Sequence, residues 1–309
     1  LVRVTETAAL AASTWVGRGD KDAADGAAVA AMRKMINTVD MSGVIVIGEG
    51  EKDNAPMLHN GEEVGNGSGP VCDVAVDPID GTTLTSLGRG NALSVIAVSE
   101  RGSMFNPGPC VYMDKIAVGP GYSPNIVNLD RTVTENVTAV ANEKGVEPSE
   151  IIVCVLDRPR HADLIAELRG LGCGVVLIGD GDVAGVIAVT NPDTTIDLYM
   201  GSGGAPEGVL AAAALRCVGG QFNGRLVFRN DDEKARARKW GIPDKDFGRI
   251  YKLEELAKGD CIFAATGVTS GSLLDGVKRL RGGKMTTESV VMRASSGTVR
   301  WIKGEHRIG

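Results

Sequence analysis

Two carboxylates follow an apolar run in the segment Val71-Cys-Asp-Val-Ala-Val-Asp-Pro-Ile-Asp-Gly-Thr-Thr83. The run predicts a buried strand that holds Asp77 rigidly. Pro78 fixes φ and interrupts the ladder, so a turn brings Asp80 to the same end of the sheet. Carboxylates this close repel each other unless they share a proton or bind a divalent cation such as Mg²⁺ or Mn²⁺. The segment indicates half of a metal-phosphate site, with an Asp-capped turn as the ligand-free alternative.

A second acidic pair, Glu49 and Glu51, follows the β-branched run at 44–47. If the strand continues through Gly50, both side chains point to one face. A parallel arrangement with the strand that ends at Asp77 would bring the two pairs together. Four carboxylates without a compensating Lys or Arg indicate cations that hold a phosphoryl group and activate water. An exposed acidic loop is the alternative.

Glu207 lies in Gly201-Ser-Gly-Gly-Ala-Pro-Glu-Gly208, where Pro206 suits the first position of a helix. In that position Glu207 could simply compensate the helix dipole. The preceding glycines and Ser202 predict a loop whose amides could hold a phosphate at the N-terminus of the helix.

The segment Asp157-Arg-Pro-Arg-His161 follows a predicted strand and opens a predicted helix. Arginine suits bidentate phosphate recognition, and cations are disfavoured at a helix N-terminus, so an anionic ligand is expected here. A solvated basic first turn is the alternative.

Gly179-Asp-Gly-Asp-Val-Ala-Gly185 has the wrong spacing for a dinucleotide fingerprint and predicts an acidic loop that accepts hydrogen bonds from sugar hydroxyls. Neither a Walker-type phosphate loop nor a G-x-S-x-G elbow occurs. Nucleotide hydrolysis of the Walker type and serine hydrolysis therefore lose support.

The composition of the 309-residue chain narrows the class of protein further. A net charge of −6 argues against a general nucleic-acid binder, and three Trp, four Tyr and five Phe leave few stacking platforms. Six dispersed cysteines and three histidines make a structural zinc site or a thiol redox centre unfavourable. We find no apolar stretch of membrane-spanning length and no signal-type apolar region, so we expect a cytoplasmic protein that does not bind membranes.

Hydrophobic periodicity predicts a mixed succession of elements. The expected helices cover 4–16, 23–39, 161–171, 182–188 and 206–217, and the expected strands cover 44–47, the run into Asp77, 91–99, 151–156, 174–178 and 196–200. A hairpin is expected at 109–118, and a solvated charged helix or loop at 230–239. The change to βαβα alternation predicts an N-terminal α+β subdomain, 1–147, and a C-terminal α/β subdomain, 148–309.

Taken together, these motifs resemble the class II bacterial fructose-1,6-bisphosphatases, over almost the whole chain. The segments that carry the resemblance are Gly17-Arg-Gly-Asp-Lys-Asp-Ala-Ala-Asp-Gly26, Ile47-Gly-Glu-Gly-Glu51, Asp77-Pro-Ile-Asp-Gly-Thr82, Leu156-Asp-Arg-Pro-Arg-His161, Asp180-Gly-Asp182 and Gly201-Ser-Gly-Gly-Ala-Pro-Glu-Gly208. The Asp-Pro-Ile-Asp-Gly-Thr element is shared by the wider lithium-sensitive, metal-dependent phosphatase superfamily, which includes inositol monophosphatases. Pro206-Glu-Gly208 replaces that superfamily's Trp-Asp-x-x-x-Gly motif, as the class II family has it.

The resemblance implies a layered α-β-α-β-α sugar-phosphatase sandwich, a sugar-bisphosphate substrate, and a homo-oligomer, dimer or tetramer. It also implies the site residues. The metal ligands, for Mg²⁺ or Mn²⁺, would be Asp25, Glu49, Asp77, Asp80 and Glu207. Substrate contacts would fall on Lys21, Asp80, Gly81, Thr82, Tyr112, Arg158, Pro159, Arg160, Asp180, Gly181, Asp182 and Gly204.

On this basis we expect metal-dependent hydrolysis of the 1-phosphate of fructose 1,6-bisphosphate, a gluconeogenic reaction. Thr82 would orient the attacking water, and Glu49 and Asp25 would complete the catalytic group. Arg158, Arg160 and Tyr112 would hold the 6-phosphate. The rival hypotheses are an inositol or nucleotide-3′-phosphate phosphatase on the same scaffold and a non-catalytic sugar-phosphate sensor.

Overall fold

The structure is a computed structural model that describes residues 1–50, 57–108 and 111–307. Glu51 and the first two residues of the expected hairpin, Pro109 and Cys110, lie outside the described residues. The helices are α1 (Val2–Ser13), α2 (Lys21–Ile36), α3 (Thr82–Leu87), α4 (Val133–Lys144), α5 (Ala162–Gly170), α6 (Asp182–Ile187), α7 (Ala205–Val218), α8 (Asp231–Lys239) and α9 (Leu253–Leu256). The strands of the N-terminal half are β1 (Ser42–Ile47), β2 (Glu63–Val64), β3 (Val71–Asp80), β4 (Leu93–Glu100) and β5 (Tyr112–Val118). Those of the C-terminal half are β6 (Ile152–Leu156), β7 (Gly174–Ile178), β8 (Leu198–Gly204), β9 (Gln221–Val227), β10 (Ile250–Lys252), β11 (Cys261–Gly267), β12 (Lys278–Leu280), β13 (Lys284–Arg293) and β14 (Thr298–Arg307).

Two mixed sheets organise these strands. The first has the order β12-β13-β11-β4-β3-β1-β2, with β14 paired to β13, and the second has the order β10-β9-β5-β8-β6-β7. In the first sheet β1 and β3 run parallel, with Ser42 opposite Val71 and Ile45 opposite Val74. This parallel pair sets the acidic residues that follow β1 beside those that end β3.

Helices separate and flank the sheets in five layers. Helices α1 and α2 cover the outer face of the first sheet, and α4 and α5 cover the outer face of the second. Helix α7 lies between the sheets and contacts strands of both. The single doubly wound sheet that the βαβα rhythm could also form is absent from the described residues, and the predicted α-β-α-β-α layering is confirmed. The division into 1–147 and 148–309 stays a prediction. Each sheet takes strands from both of these segments, since β5 lies in the second sheet and β11–β14 lie in the first.

Most of the predicted elements are present, with shifts of a few residues at their ends. Asp20 caps α2 by accepting a hydrogen bond from the Ala23 amide at 2.9 Å, and the charged stretch forms α8 with Asn230 as its cap. No helix of the described residues is both long and apolar enough to cross a membrane.

Two predictions about the second sheet are wrong. Strand β5 pairs antiparallel with β8 and β9, which are distant in sequence, and does not form the expected hairpin. The glycine run at 201–204 is not a loop, because it extends β8 and pairs with β5 from Tyr112 to Lys115. Strand β1 ends at Ile47, as predicted, so the condition under which Glu49 and Glu51 would share one face of a strand is not met.

Alanines make the central helix thin enough to fit between the sheets. Ala211 to Ala214 are at most 1% exposed and belong to the core that spans both sheets. A helix buried on all sides should be apolar all round, and small side chains allow both sheets to approach it.

We expect Ala212→Leu to lower the free energy of unfolding by about 2 kcal/mol, because extra methyl groups in a packed core force neighbouring atoms apart. Urea or thermal unfolding measures the change. Ala30→Leu, on the exposed face of α2, is the control and should have little effect. Equal stability of the two variants would contradict the tight packing of α7 between the sheets.

Candidate active site

A cavity of about 490 Å³ lies between the layers, where several elements begin or end. Strands β1, β3, β6 and β8 end at it, β5 begins at it, and helices α3, α6 and α7 start there. Side chains that end strands or open helices are held by rigid elements yet remain accessible to a ligand. This arrangement is typical of binding sites in α/β proteins.

The cavity brings together nearly all of the predicted site residues. Its walls include Asp25, Glu49, Asp77, Asp80, Gly81, Thr82, Tyr112, Arg158, Arg160, Asp180, Gly181, Asp182, Gly204 and Glu207. Two predicted residues lie outside the walls. Lys21 is exposed and donates to the Thr83 hydroxyl at 2.8 Å, and exposed Pro159 opens the 3-10 turn Pro159–His161.

The end of β3 holds Asp77 and Asp80 in an irregular strand. Asp77 pairs with Val95 and Asp80 with Leu93, so three steps along β3 match two along β4. The strand therefore continues past Pro78 with a bulge, where the sequence predicted a turn, and a bulge re-aims side chains in the same way. The Ile79 amide donates to Asp77 Oδ1 at 3.0 Å, and the Ala184 amide donates to Asp80 Oδ2 at 3.2 Å.

Asp25 and Glu49 meet across the cavity and share a hydrogen bond. Burial, followed by the charges of Asp25 and Glu207, raises the pKa of Glu49 to about 8. Burial also raises the pKa of Asp25, with the charge of Asp22 as the next cause. Both shifts favour a proton that the two carboxyl groups share.

The remaining acids are perturbed in the same direction. Burial and the charge of Asp80 raise the pKa of Asp77 well above its ordinary value, and burial and the charge of Asp182 do the same for Asp80. Burial and the charge of Asp182 also raise the pKa of Glu207, against an opposing effect of Lys115. Burying these carboxylates together is unfavourable unless protons or cations neutralise them.

Lys115 supplies one internal positive charge. Its ammonium is buried and pairs with Asp182, itself 6% exposed. A side chain at Gly203 would collide with the Asp182 carboxylate and crowd the Lys115 ammonium, and one at Gly208 would crowd the Lys115 stem. The two glycines therefore provide the space in which the buried ion pair forms.

Glu207 folds back over the strand that precedes its helix. A Cβ atom at Gly204 would lie 1.9 Å from Glu207 Oε2, so only glycine permits this position of the carboxylate. Oε2 is buried and finds no hydrogen-bond donor within residues 1–50, 57–108 and 111–307. A buried acceptor without a partner costs free energy, and a cation would satisfy it.

The acids fit a hard divalent cation by their chemistry. Carboxylate oxygens are the protein ligands that Mg²⁺ and Mn²⁺ prefer. In the described part of the chain, however, no three Asp, Glu, His or Cys side chains are already gathered closely enough to hold a metal ion. A bound cation would therefore rely on water for part of its shell, as Mg²⁺ commonly does.

Arginines line the same cavity. Arg158 donates to the backbone oxygens of Asp157 and Gly179 and pairs with Asp180 at 3.3 Å. Asp180 Oδ2 also accepts from the Thr83 amide at 3.2 Å, so this carboxylate links Arg158 to the start of α3.

Tyr112 stands beside two further arginines. The guanidinium carbons of Arg160 and Arg229 lie 5.2 Å and 4.3 Å from the centre of its ring. Arg160 donates twice to the Ser202 backbone oxygen, and Arg229 pairs with the buried carboxylate of Glu233. Cation-π contacts and these acceptors hold both guanidiniums in place.

His161 does not join the expected anion site. It is 4% exposed, its Nδ1 lies 2.7 Å from the Leu156 oxygen, and its Nε2 accepts from the Ser202 amide at 2.8 Å. Both ring nitrogens are occupied by backbone groups, and burial lowers the pKa of the imidazole. A neutral His161 thus tethers the turn at 159–161 to β8.

The sequence analysis missed Lys115, Arg229 and Gly203. Lys115 occupies a buried position of β5. A lysine inside an apolar strand is seldom buried without a partner, so its position in the sequence could have indicated a buried ion pair. Arg229 and Gly203 gave no signal, because their neighbours at the site come from distant segments.

Comparison with known proteins supports the family that the sequence motifs resemble. A family model described as bacterial fructose-1,6-bisphosphatase, glpX-encoded, matches residues 1–306. The chain is 46% identical, over 318 aligned positions that cover 98% of it and 93% of the relative, to "Fructose-1,6-bisphosphatase 1 class 2" of Escherichia coli strain K12. It is equally similar to "Fructose-1,6-bisphosphatase class 2" of Escherichia coli O6:H1 and of Shigella flexneri.

The family match makes this protein a phosphatase, and the acidic cavity lined by arginines between its two sheets fits the metal-dependent class. Within that class, the chain belongs to the glpX-encoded family of bacterial fructose-1,6-bisphosphatases.

The raised pKa of Glu49 predicts a stability that depends on pH and metal. Because the folded-state pKa is about 8 and the ordinary value is 4.5, the folded protein retains a proton that the unfolded chain releases between these values. The free energy of unfolding in EDTA should therefore fall as the pH rises through this window. We expect the melting temperature to drop by about 5 °C between pH 6 and pH 8.5.

Divalent cations should reverse the loss, with a larger rise in melting temperature at pH 8.5 than at pH 6, because protons compete with them for carboxylates. Glu49→Gln keeps the shape of the side chain and should show a shallower fall. Glu254→Gln, on an exposed side chain, is the matched control. A Glu49→Gln protein with the wild-type pH profile would show that Glu49 is not the titrating group.

Proposed function

We propose that this protein hydrolyses the 1-phosphate of fructose 1,6-bisphosphate, with divalent cations, to fructose 6-phosphate and phosphate. The observation that carries the proposal is a single cavity whose walls contain five carboxylates for cations and two arginines for a second anionic group. Membership of the glpX-encoded family gives the sugar bisphosphate as the substrate class. The reaction is a gluconeogenic one.

The proposed metal ligands are Asp25, Glu49, Asp77, Asp80 and Glu207. Mg²⁺ or Mn²⁺ bound there would neutralise the phosphoryl oxygens and lower the pKa of an attacking water. We propose that Thr82, at the first position of α3, orients that water. Bound cations would keep Glu49 and Asp25 ionised, and this pair would then take up the proton of the water.

Backbone geometry at the start of α3 supports the placement of the transferred group. Gly81 caps α3 with a φ of +98°, a conformation that glycine adopts without strain. Among the amides that open the helix, that of Thr83 donates to Asp180. The others lack intrahelical partners and would donate to equatorial phosphoryl oxygens.

The distal 6-phosphate needs cations of its own. Arg158 and Arg160 line the cavity and would supply them, with Tyr112 beside Arg160. Arg229 is a further candidate through its contact with Tyr112. Asp182 would accept from a sugar hydroxyl through the oxygen that its contact to Lys115 leaves. Asp180 would accept through the lone pairs that its contacts to Arg158 and the Thr83 amide leave.

Phosphate release from fructose 1,6-bisphosphate, with Mg²⁺, Mn²⁺ or EDTA, tests the proposal directly and identifies the preferred cation. Inositol 1-phosphate and adenosine 3′,5′-bisphosphate are the comparison substrates. Metal-dependent turnover selective for the sugar bisphosphate is expected. Selectivity for another ester would overturn the substrate assignment, and no turnover with either metal would favour a sugar-phosphate sensor.

Removal of the Thr82 hydroxyl should impair chemistry more than binding. We expect Thr82→Ala to lower kcat about 100-fold with little change in KM, because a water that is not oriented attacks poorly. Thr82→Ser keeps the hydroxyl and should recover most of the activity. Steady-state kinetics of both variants decide the point, and a normal kcat for Thr82→Ala would refute the role.

Removal of a contact to the distal phosphate should impair substrate binding more than chemistry. Arg158→Ala should raise KM for fructose 1,6-bisphosphate by about tenfold or more, the usual cost of losing a charge-assisted hydrogen bond. KM for fructose 1-phosphate, which lacks the distal group, should not change. Arg279→Ala, on an exposed arginine outside the cavity, is the control. Equal losses for both substrates would indicate a purely structural role for Arg158.

Two further proposals rest on the family alone. The protein is proposed to act in the cytoplasm and to assemble as a dimer or tetramer. Sedimentation velocity of the purified protein measures its oligomeric state.

A further inference from the structure

A second cavity, of about 430 Å³, lies on the face of the second sheet that α4 and α5 cover. Its walls come from the start of α4, the turn before α5, and strands β5, β8 and β9. They contain Asp114, Lys115, Leu129, Arg131, Val133, Asn136, Arg160, His161, Leu164, Met200, Gly201, Ser202, Arg225 and Val227. None of the predicted site residues except Arg160 is among them.

Positive charge dominates these walls. Three arginines, Arg131, Arg160 and Arg225, stand against two carboxylates, Asp114 in the walls and Asp130 beside Arg225. Lys115 is already paired with Asp182. Asp114 accepts from the Ser202 side chain, and burial raises its pKa. The cavity therefore carries excess positive charge at neutral pH.

Arg225 has spare hydrogen-bonding capacity. Its Nη2 pairs with Asp130, whereas its Nε is buried and finds no acceptor in the described part of the chain. A buried donor without a partner costs free energy, and an anion in the cavity would satisfy it. Three guanidiniums around one space suit a phosphate dianion, because each can donate two hydrogen bonds to it.

The ligand should also have an apolar part. Leu129, Val133 and Leu164 contribute to the walls, and His161 is held by backbone groups on both nitrogens. The volume lies within the range of sites for small organic molecules. A phosphomonoester with an apolar body matches both the charge and the remaining surface.

We propose that this cavity is a second anion site that binds a phosphomonoester and weakens substrate binding through Arg160. Among the described residues, Arg160 is the only one that lines both cavities. Its guanidinium donates to the Ser202 oxygen at 2.9 and 2.7 Å and lies over Tyr112. An anion in the second cavity would attract Arg160 and withdraw it from the distal phosphate of the substrate. This regulatory effect rests on the proposed function, but the site itself does not.

Calorimetric titration of the full-length protein with benzylphosphonate tests the site. This probe is a phosphonate dianion with an apolar ring, and its carbon–phosphorus bond is not a phosphate ester. EDTA in the buffer removes cations that would hold the probe in the first cavity. We expect Arg131→Gln and Arg225→Gln to weaken binding at least about tenfold, the loss of one charge-assisted contact. Arg300→Gln, on exposed β14, should bind like the wild type.

Arg225→Gln also loses the ion pair with Asp130 and could fail to fold. Arg131 is exposed, so Arg131→Gln should fold and tests the site on its own. Equal affinity in all four proteins would overturn the proposal. Binding of inorganic phosphate, but not of benzylphosphonate, in an Arg131-dependent manner would replace the phosphomonoester with free phosphate as the ligand.

Kinetics test the coupling. In the wild type, benzylphosphonate should raise KM for fructose 1,6-bisphosphate, and the effect should be at least about tenfold weaker in Arg131→Gln, whose KM without the probe stays normal. A probe that binds at Arg131 without changing KM would overturn the coupling. If the protein does not hydrolyse the bisphosphate, calorimetry still shows whether the second cavity binds the probe. Failure of the proposed activity is therefore distinguishable from failure of the proposed site.

Discussion

The burial of like charges together is the constraint on which the rest of this structure depends. Parallel pairing of β1 with β3 sets the residues that follow one strand beside those that end the other. Glu49 and Asp77 thereby come within electrostatic reach of Asp25 and Glu207, and burial raises the pKa of every one of these groups. The cavity stores unfavourable electrostatic free energy, which a divalent cation bound there would release. The free energy of unfolding and the affinity for a cation would therefore both depend on these buried acids.

Internal cations limit that cost without abolishing it. The buried Lys115 ammonium pairs with Asp182 and opposes the rise in the pKa of Glu207. A fixed lysine neutralises only one charge and cannot be exchanged, so most of the acids remain available to mobile ions. Asp180 and the Gly179 oxygen hold Arg158, and the oxygen of Ser202 in β8 holds Arg160. Part of each guanidinium is left for an anionic ligand.

Small residues make this concentration of charged groups sterically possible. Glycines at 203, 204 and 208 leave room for Lys115, Asp182 and Glu207 where any Cβ would collide or crowd. The alanines of α7 bring both sheets close to the same helix, whose first turn carries Glu207. Helix α7 therefore has two roles, because it packs between the sheets and also places the Glu207 carboxylate in the cavity.

The sequence by itself determined the element types, the acidic motifs and the family, because these depend on local patterns. Periodicity located most helices and strands through α7, although it missed α4 and assigned no strand after β8. The segment Asp77-Pro-Ile-Asp-Gly-Thr82 indicated the candidate site by its local pattern alone. Fourteen of the sixteen predicted site residues line one cavity, although their roles stay predictions.

Only the tertiary structure decided which distant segments meet. The pairing of β5 with β8 and β9, the strand conformation at 201–204 and the tether formed by His161 all depend on partners far away in the chain. The burial of Lys115 and the unsatisfied Nε of Arg225 have the same origin. Local sequence carries no record of such contacts, because the free energy that selects them comes from packing between elements and not from the propensities of single residues.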